Sequence, residues 1–533
     1  MDILTLLIVV PAVATAVMFF VPEKNKALVS TIPALAGSIC LALSIRLFWT
    51  AWHGGLPGGE LALAALTPTP VAWVASLGIT WSVAADGMSA AMCLLTSIVM
   101  LAGSLISVRS DKLHTGIGDR PKDFFILFLA LVTGVFGVFL VRDLFFFYFS
   151  YELAVVPMYL LIGVWGSKDR EYAAMKLTLY LTAGALLALI GILALYFKTW
   201  EYLRLVNPSA LPSFHLDDVL RARDAGFFDQ AFQYRTYAIL FLGFAAIIPM
   251  WPFHTWSPIG HAAAPAAGSM MHAGVLMKLG AFAILRIAFP ACPEGAAHWM
   301  PWVAVIAMMN IMYGGLVAMA QKDLKFVIGF SSSSHMGYTL LGLASVSVIG
   351  VSGAVFLMFA HGIMTALAFS LIGFFYDQTH NRWIPDLGGL AHQIPFVAVC
   401  FALMSMASAG VPGFANFASE YMVMFGAWES GLKWQAVVAV FGVVIGAVYL
   451  LRALRDAFFG PRNPRWDGLH DCSGLRKAPF VFMLAVLLFF GFYPKPIVDV
   501  IRGDSEHGLL RTIETVRATR EFDAGYPDRI RKP

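Results

Sequence analysis

The chain has 533 residues, of which 59% are hydrophobic and only 13% are Asp, Glu, Lys or Arg, with a mean hydropathy of +0.76. Those proportions exclude an ordinary water-soluble globular class and point to a polytopic membrane protein. The formal net charge of +4 gives no support to nucleic-acid binding, because the basic residues gather in short loops between apolar runs, where they report topology.

Uncharged apolar runs recur at 3–22, 28–50, 81–107, 123–141, 143–165, 172–198, 235–256, 268–290, 299–320, 324–346, 350–376, 394–430 (interrupted), 433–458 and 478–500. Each is near the roughly 20 residues that cross a ~30 Å hydrocarbon core as a helix. Lipid offers no partner to backbone amides, so the runs predict an all-α polytopic bundle of about fourteen helices; a barrel would show short alternating segments. The first run lacks a basic leader and a small-residue cleavage site, which predicts a retained helix. The loops "PEKNK", "RSDKLHTGIGDRPK", "SKDREYAAMK", "QKDLK" and "LRALRDAFFGPRNPRW" are rich in Lys or Arg. The positive-inside rule makes them cytoplasmic and puts both termini outside, periplasmic in a bacterial inner membrane. Cys40, Cys93, Cys292, Cys400 and Cys472 are far apart and form no metal, cluster or disulfide pattern, so they read as packing residues.

Three charges sit where apolar composition makes them costly. Glu152 lies ten residues past Arg142 and sixteen before Lys168, about 15 Å and 24 Å along a helix from those two cations. Lys278 follows 42 residues, Thr236 to Met277, without Asp, Glu, Lys or Arg, and Glu420 ends a 33-residue uncharged stretch from Leu387 to Ser419. Each costs about 2.5–3.5 kcal/mol to place in a membrane helix, and such residues usually face a hydrated interior and serve transport. The competing reading is a structural ion pair. The proton affinity of a buried lysine depends on how near a carboxylate stands, so a carboxylate that moves acts as a gate.

His254, His272, His335 and His361 also fall inside apolar runs. One such histidine more often joins two helices by a hydrogen bond, but four together favour a hydrated proton path. Two of the runs are broken: Pro249 and Pro252 interrupt 235–256, and Gly410, Pro412 and Gly413 interrupt 394–430. Paired interruptions in corresponding halves point to an inverted-repeat transporter with its ion path at the breaks. Asp86 in "AADGMSA" reads as an interfacial helix cap. The mixed-charge tail "RGDSEHGLLRTIETVRATREFD" suits a solvated surface helix.

The stretches "DLFFFYFSYELAVVPMYLLIG", "PMWPFHTWSPIGHAAAPAAGSMMHAGVLMKLGAF", "QKDLKFVIGFSSSSHMGYTLLG", "HGIMTALAFSLIGFFYDQTHNRWIPDLGGL" and "ASAGVPGFANFASEYMVMFG" resemble the antiporter-like membrane subunits of respiratory complex I, above all the subunit M type of bacterial NADH-quinone oxidoreductase. The resemblance spans about 81–500. It implies fourteen helices: three at 1–122, a first inverted five-helix repeat at 123–290, a second at 299–458, and a last helix with a periplasmic tail at 478–533. By motif, Glu152 matches the gating glutamate of the fifth helix, Lys278 the central lysine of the eighth and Glu420 the acid of the twelfth. His335 and His361 match polar-axis histidines of the tenth and eleventh.

One departure stands out. Where the family usually reads Ala-Val-Lys-Met-Pro, with a lysine that pairs with the fifth-helix glutamate, this chain has Ala245, Ala246, Ile247, Ile248 and Pro249. Ile259 stands where the following motif has an aspartate. Glu152 therefore lacks its expected cation; either Lys278 or another subunit pairs with it, or His254 and His272 carry the proton instead.

The implied function is proton translocation along a central hydrated axis in a translocating NADH:quinone oxidoreductase, with no catalytic site, cofactor or metal in this chain. NADH or another donor, FMN, iron-sulfur clusters and quinone are expected in partner subunits, and homologous antiporter-like subunits beside it in the lipid. The sequence has no nicotinamide, flavin or haem fingerprint. Alternatives are a subunit of a multisubunit sodium/proton antiporter, of an energy-converting hydrogenase or of an inorganic-carbon uptake complex. A non-pumping structural spacer is a further one.

Overall fold

Helix dominates the computed structural model, which describes residues 2–54, 69–107, 120–503, 513–514 and 516–518. The helices in chain order are α1 (Ile3–Phe20), α2 (Lys26–Gly54), α3 (Gly87–Ser107), α4 (Pro121–Leu140), α5 (Leu144–Trp165), α6 (Arg170–Val206), α7 (Leu216–Asp224), α8 (Gln230–Ala245) and α9 (Trp256–Ala263). They continue with α10 (Ala266–Ala291), α11 (Pro293–Ala320), α12 (Leu324–Ala344), α13 (Val348–Thr379), α14 (Pro395–Ser408), α15 (Ala415–Glu429), α16 (Lys433–Phe458), α17 (Ala478–Phe492) and α18 (Lys495–Gly503).

Eleven helices among the described residues are long and apolar enough to cross a membrane. The other expected crossings fall on the two broken runs, which become α8 with α9 and α14 with α15, and on α12. There Ser331 to Ser334 dilute an otherwise apolar helix.

Three expectations need correction. The all-helical reading misses a small antiparallel hairpin, Val71–Val74 with Ile79–Trp81. Its aromatic and β-branched residues favour extended backbone, and Gly78 at φ 69 turns the chain. The run 81–107 consequently starts its helix only at Gly87, where the Asp86 carboxylate accepts from Ser89 N at 2.7 Å. That carboxylate also pairs with Arg286 of α10, so Asp86 ties two helices as well as capping one. The run 478–500 is two helices, because α17 ends at Phe492 and the chain restarts only after Pro494. The expected tail helix and the loop 108–119 lie almost entirely outside the described residues.

The centre of the bundle is α13, with α10 beside it. Both are apolar on every side, as buried helices are, and the apolar window of α13 has no residue at the surface. Their approach is set by two facing glycines: a Cβ on Gly274 would lie 3.1 Å from Gly362 O, and one on Gly362 2.6 Å from Gly274 O. Backbones that close bring the side chains at 278 and 361 within bonding range. The cysteines are all buried and unpaired.

Candidate functional site

The proline break opens after Ala245. Residues 246–255 form turns, and α9 resumes at Trp256. Freed backbone groups at membrane depth need partners, and neutral side chains supply them here. Trp256 Nε1 donates to Ala246 O at 3.0 Å, and Trp251 N donates to Asn310 Oδ1 at 2.9 Å. Asn310 in turn donates from Nδ2 to Ser333 O at 2.8 Å, tying α11 to α12.

The second break spans 409–414. Gly410 and Gly413, at φ 68 and 101, take left-handed conformations that side chains resist. Here the partner is ionisable: His335 Nε2 lies 3.2 Å from Ser408 O, the carbonyl at the end of α14. The same nitrogen lies 3.3 Å from Glu420 Oε1, at ion-pair distance but without the alignment of a hydrogen bond. His335 Nδ1 faces Ser331 O at 2.8 Å. Both ring nitrogens thus meet acceptors, and a doubly protonated ring satisfies all of them.

The chain of ionisable groups continues inward. The rings of His335 and His361 are 5.1 Å apart between centroids. His361 Nδ1 lies 2.9 Å from Lys278 Nζ, which also donates to Ala273 O. Lys278 lies between two π-helical turns, His272–Leu276 and Ile284–Ala288, a distortion common at functional positions. Lys278, His361, His335 and Glu420 are all buried and form one connected row. On the same helices and on α14, Ser405 Oγ, Ser408 Oγ, Thr339 Oγ1, His361 Nε2 and both amide atoms of Asn416 are buried with no hydrogen-bond partner among the described residues. Groups of this kind are ordinarily satisfied by water.

At an effective dielectric of about 20, opposite charges 3.3 Å apart gain about 5 kcal/mol. Placing two charges costs roughly 5–7 kcal/mol on insertion scales. Attraction and burial cost are therefore of the same order for the His335–Glu420 pair.

Glu152 stands apart from that row. It is only half buried, between exposed Phe149 and Val156 on the outer side of α5, and the Tyr148 hydroxyl is its polar neighbour. Among the described residues, no Lys, Arg or His lies within ion-pair distance of it. Ile247 is fully buried, and its Cγ2 would lie 2.5 Å from a Cβ placed on Gly280. The departed position is thus packed against the lysine-bearing helix. His254 is buried, its ring 5.0 Å from that of Tyr313 and 6.4 Å from that of Phe330. His272 lies against His261, the rings 4.1 Å apart between centroids and tilted by 46°, and 5.4 Å from Trp256.

Sequence reading passed over several groups. His261 was open to the test that found His254, a histidine in apolar surroundings. Asn310 lies in an apolar run in the same way, and Tyr449, which donates to Ser331 Oγ at 2.8 Å, is hidden by its aromatic character. Lys325 was masked by its basic loop: it lies in the first turn of α12, buried, and donates to Ala264 O at 2.7 Å. Arg382 beside it bonds Asp323 at 2.6 Å and Ala262 O at 2.6 Å. Two cations thus hold the carbonyl end of the half-helix α9, where the helix dipole favours positive charge.

Comparison with known proteins agrees with this architecture. Residues 141–446 match the family described as NADH:quinone oxidoreductase/Mrp antiporter, transmembrane. NAD(P)H-quinone oxidoreductase chain 4 of Gloeobacter violaceus is 33% identical over 97% of this chain and 93% of its own length. A chain 4 of Synechococcus elongatus is 34% identical over 93% and 89%. Among solved structures, a chain of respiratory complex I from Thermus thermophilus superposes with a TM-score of 0.81 at 26% identity, covering 97% of this chain and 99% of that one. A chain of the Mrp complex from Dietzia sp. shares the fold, with a TM-score of 0.80 at 21% identity over 97% and 99%. The broken helices and the buried ionisable row thus belong to an antiporter-like membrane protein. This chain is a member of the NADH:quinone oxidoreductase/Mrp antiporter transmembrane family, of the antiporter-like type found in complex I.

Proposed function

We propose that this chain is a proton-translocating membrane subunit of a complex I type NADH-quinone oxidoreductase, in a bacterial inner membrane with both termini periplasmic. The single observation that carries the reading is the row from Lys278 through His361 and His335 to Glu420. Lys278 as the ammonium passes a proton to His361 Nδ1, and His361 Nε2 releases one to water. The doubly protonated His335 gives its Nε2 proton to Glu420, beside the second break, and the vacated nitrogen takes the released proton in its place. Each transfer moves one proton and no electron.

Electron transfer belongs to partner subunits that hold the donor site, flavin, iron-sulfur clusters and quinone; the chain contributes to the enzyme without a catalytic site of its own. Helices α4–α10 and α11–α16 act as the two inverted repeats, flanked in the membrane by other antiporter-like subunits. The shared fold of the Mrp chain keeps sodium/proton exchange as the second reading, and Lys278 serves either one.

The test is proton translocation per electron by the purified complex in proteoliposomes. Lys278→Ala should remove this subunit's whole share at an equal amount of assembled complex. A ratio equal to that of the wild type contradicts the assignment. Sodium-dependent translocation would favour the second reading.

A further inference from the structure

We infer that the adjacent pair His261–His272 loads Lys278 with its proton, in place of the cation missing at Ile247. This rests on the proton-translocating function proposed above and adds the route by which the row is filled.

The two imidazoles are fully buried and 4.1 Å apart between ring centroids. Among the described residues, neither nitrogen of His272 nor Nδ1 of His261 has a hydrogen-bond partner. Their positions link two working elements. His261 belongs to α9, the half-helix whose end is held by Lys325 and Arg382 on the basic side of the bundle. His272 belongs to α10 and immediately precedes Ala273, whose carbonyl holds Lys278 Nζ. The pair therefore bridges the broken helix to the central lysine.

Packing alone is a poor account of these rings. Each buried polar atom left unbonded costs about 1–3 kcal/mol, and leucine at 272 would fill the space without that cost. The remaining bonds of His261 are weak or shared: its Nε2 lies 3.1 Å from both Ser257 Oγ and Met277 Sδ. The alternative entry is closed by apolar contact, because Ile247 offers no proton acceptor and packs on Gly280. His254 is a weaker candidate, since its ring neighbours are Tyr313 and Phe330 rather than another imidazole.

The step balances with water as the carrier. A hydronium proton binds the free ring nitrogen of one histidine, and the proton on the opposite nitrogen leaves to a water. That water passes a proton to the lone pair of the Lys278 amine. One proton is moved, and rotation of the ring restores the starting tautomer.

The experiment compares proton translocation per electron in proteoliposomes for the wild-type complex, Lys278→Ala, His272→Leu, His272→Gln and the double variant His272→Leu with Ile247→Lys, at equal amounts of assembled complex. Leucine removes the unbonded nitrogens and glutamine keeps polarity without a titrating ring, so the two together separate proton transfer from folding. Both single variants should lose the same share as Lys278→Ala, and the added lysine should restore most of it. Wild-type ratios for the His272 variants beside a loss in Lys278→Ala overturn the loading route and leave the proposed function standing. Wild-type ratios in all of them overturn both. A loss that Ile247→Lys does not restore overturns the claim that the pair replaces the missing cation.

Discussion

The two helix breaks solve one physical problem with different chemistry. At the first, Trp256 and Asn310 satisfy the opened backbone, both neutral at any pH, and Glu152 stands off the row without a cation. At the second, His335 holds the freed Ser408 carbonyl and at the same time lies against Glu420. The two breaks are thus capped differently, by neutral groups at the first and by an imidazole beside a carboxylate at the second. That difference makes the chain asymmetric about its two broken helices.

That asymmetry can be broken or sharpened by substitution. After Lys278→Ala, the largest effect is expected from Glu420→Gln, which leaves His335 without its counter-charge. It should abolish most of the translocation assigned to this subunit, measured as protons per electron. Next comes Arg382→Ala, which removes one partner of the pair with Asp323 and one clamp on α9. Partial exposure reduces the usual cost of breaking such a pair to about 2–3 kcal/mol, to be read as earlier thermal loss of the assembled complex. Asn310→Ala should cost about 1–3 kcal/mol in the same assay, because Trp251 N and Ser333 O lose their partner. The smallest effect on translocation is expected from Glu152→Gln.

Much of this was legible in the sequence, for physical reasons that differ from residue to residue. Lys278, Glu420, His335 and His361 stand out because charge or imidazole in an apolar run is costly, and the structure brings all four together. The glycines and prolines of both breaks are equally visible, since their backbone constraints are local. Glu152 was read as sealed from both ends of its helix, whereas it opens sideways onto the outer face of α5. Distance along a helix says nothing about which face a side chain takes. Lys325 and Arg382 were hidden because a lysine or arginine at a helix end looks the same whether it reports topology or clamps a carbonyl. The His261–His272 contact depends on two helices meeting, and no local pattern encodes it.

The most direct test of the central claim is the proton-to-electron ratio of the purified complex in proteoliposomes, with Glu152→Gln set beside Lys278→Ala. Lys278→Ala should show a large loss and Glu152→Gln a small one, because only the lysine belongs to the connected row. Equal and near-complete loss from both would contradict it and place Glu152 back on the path.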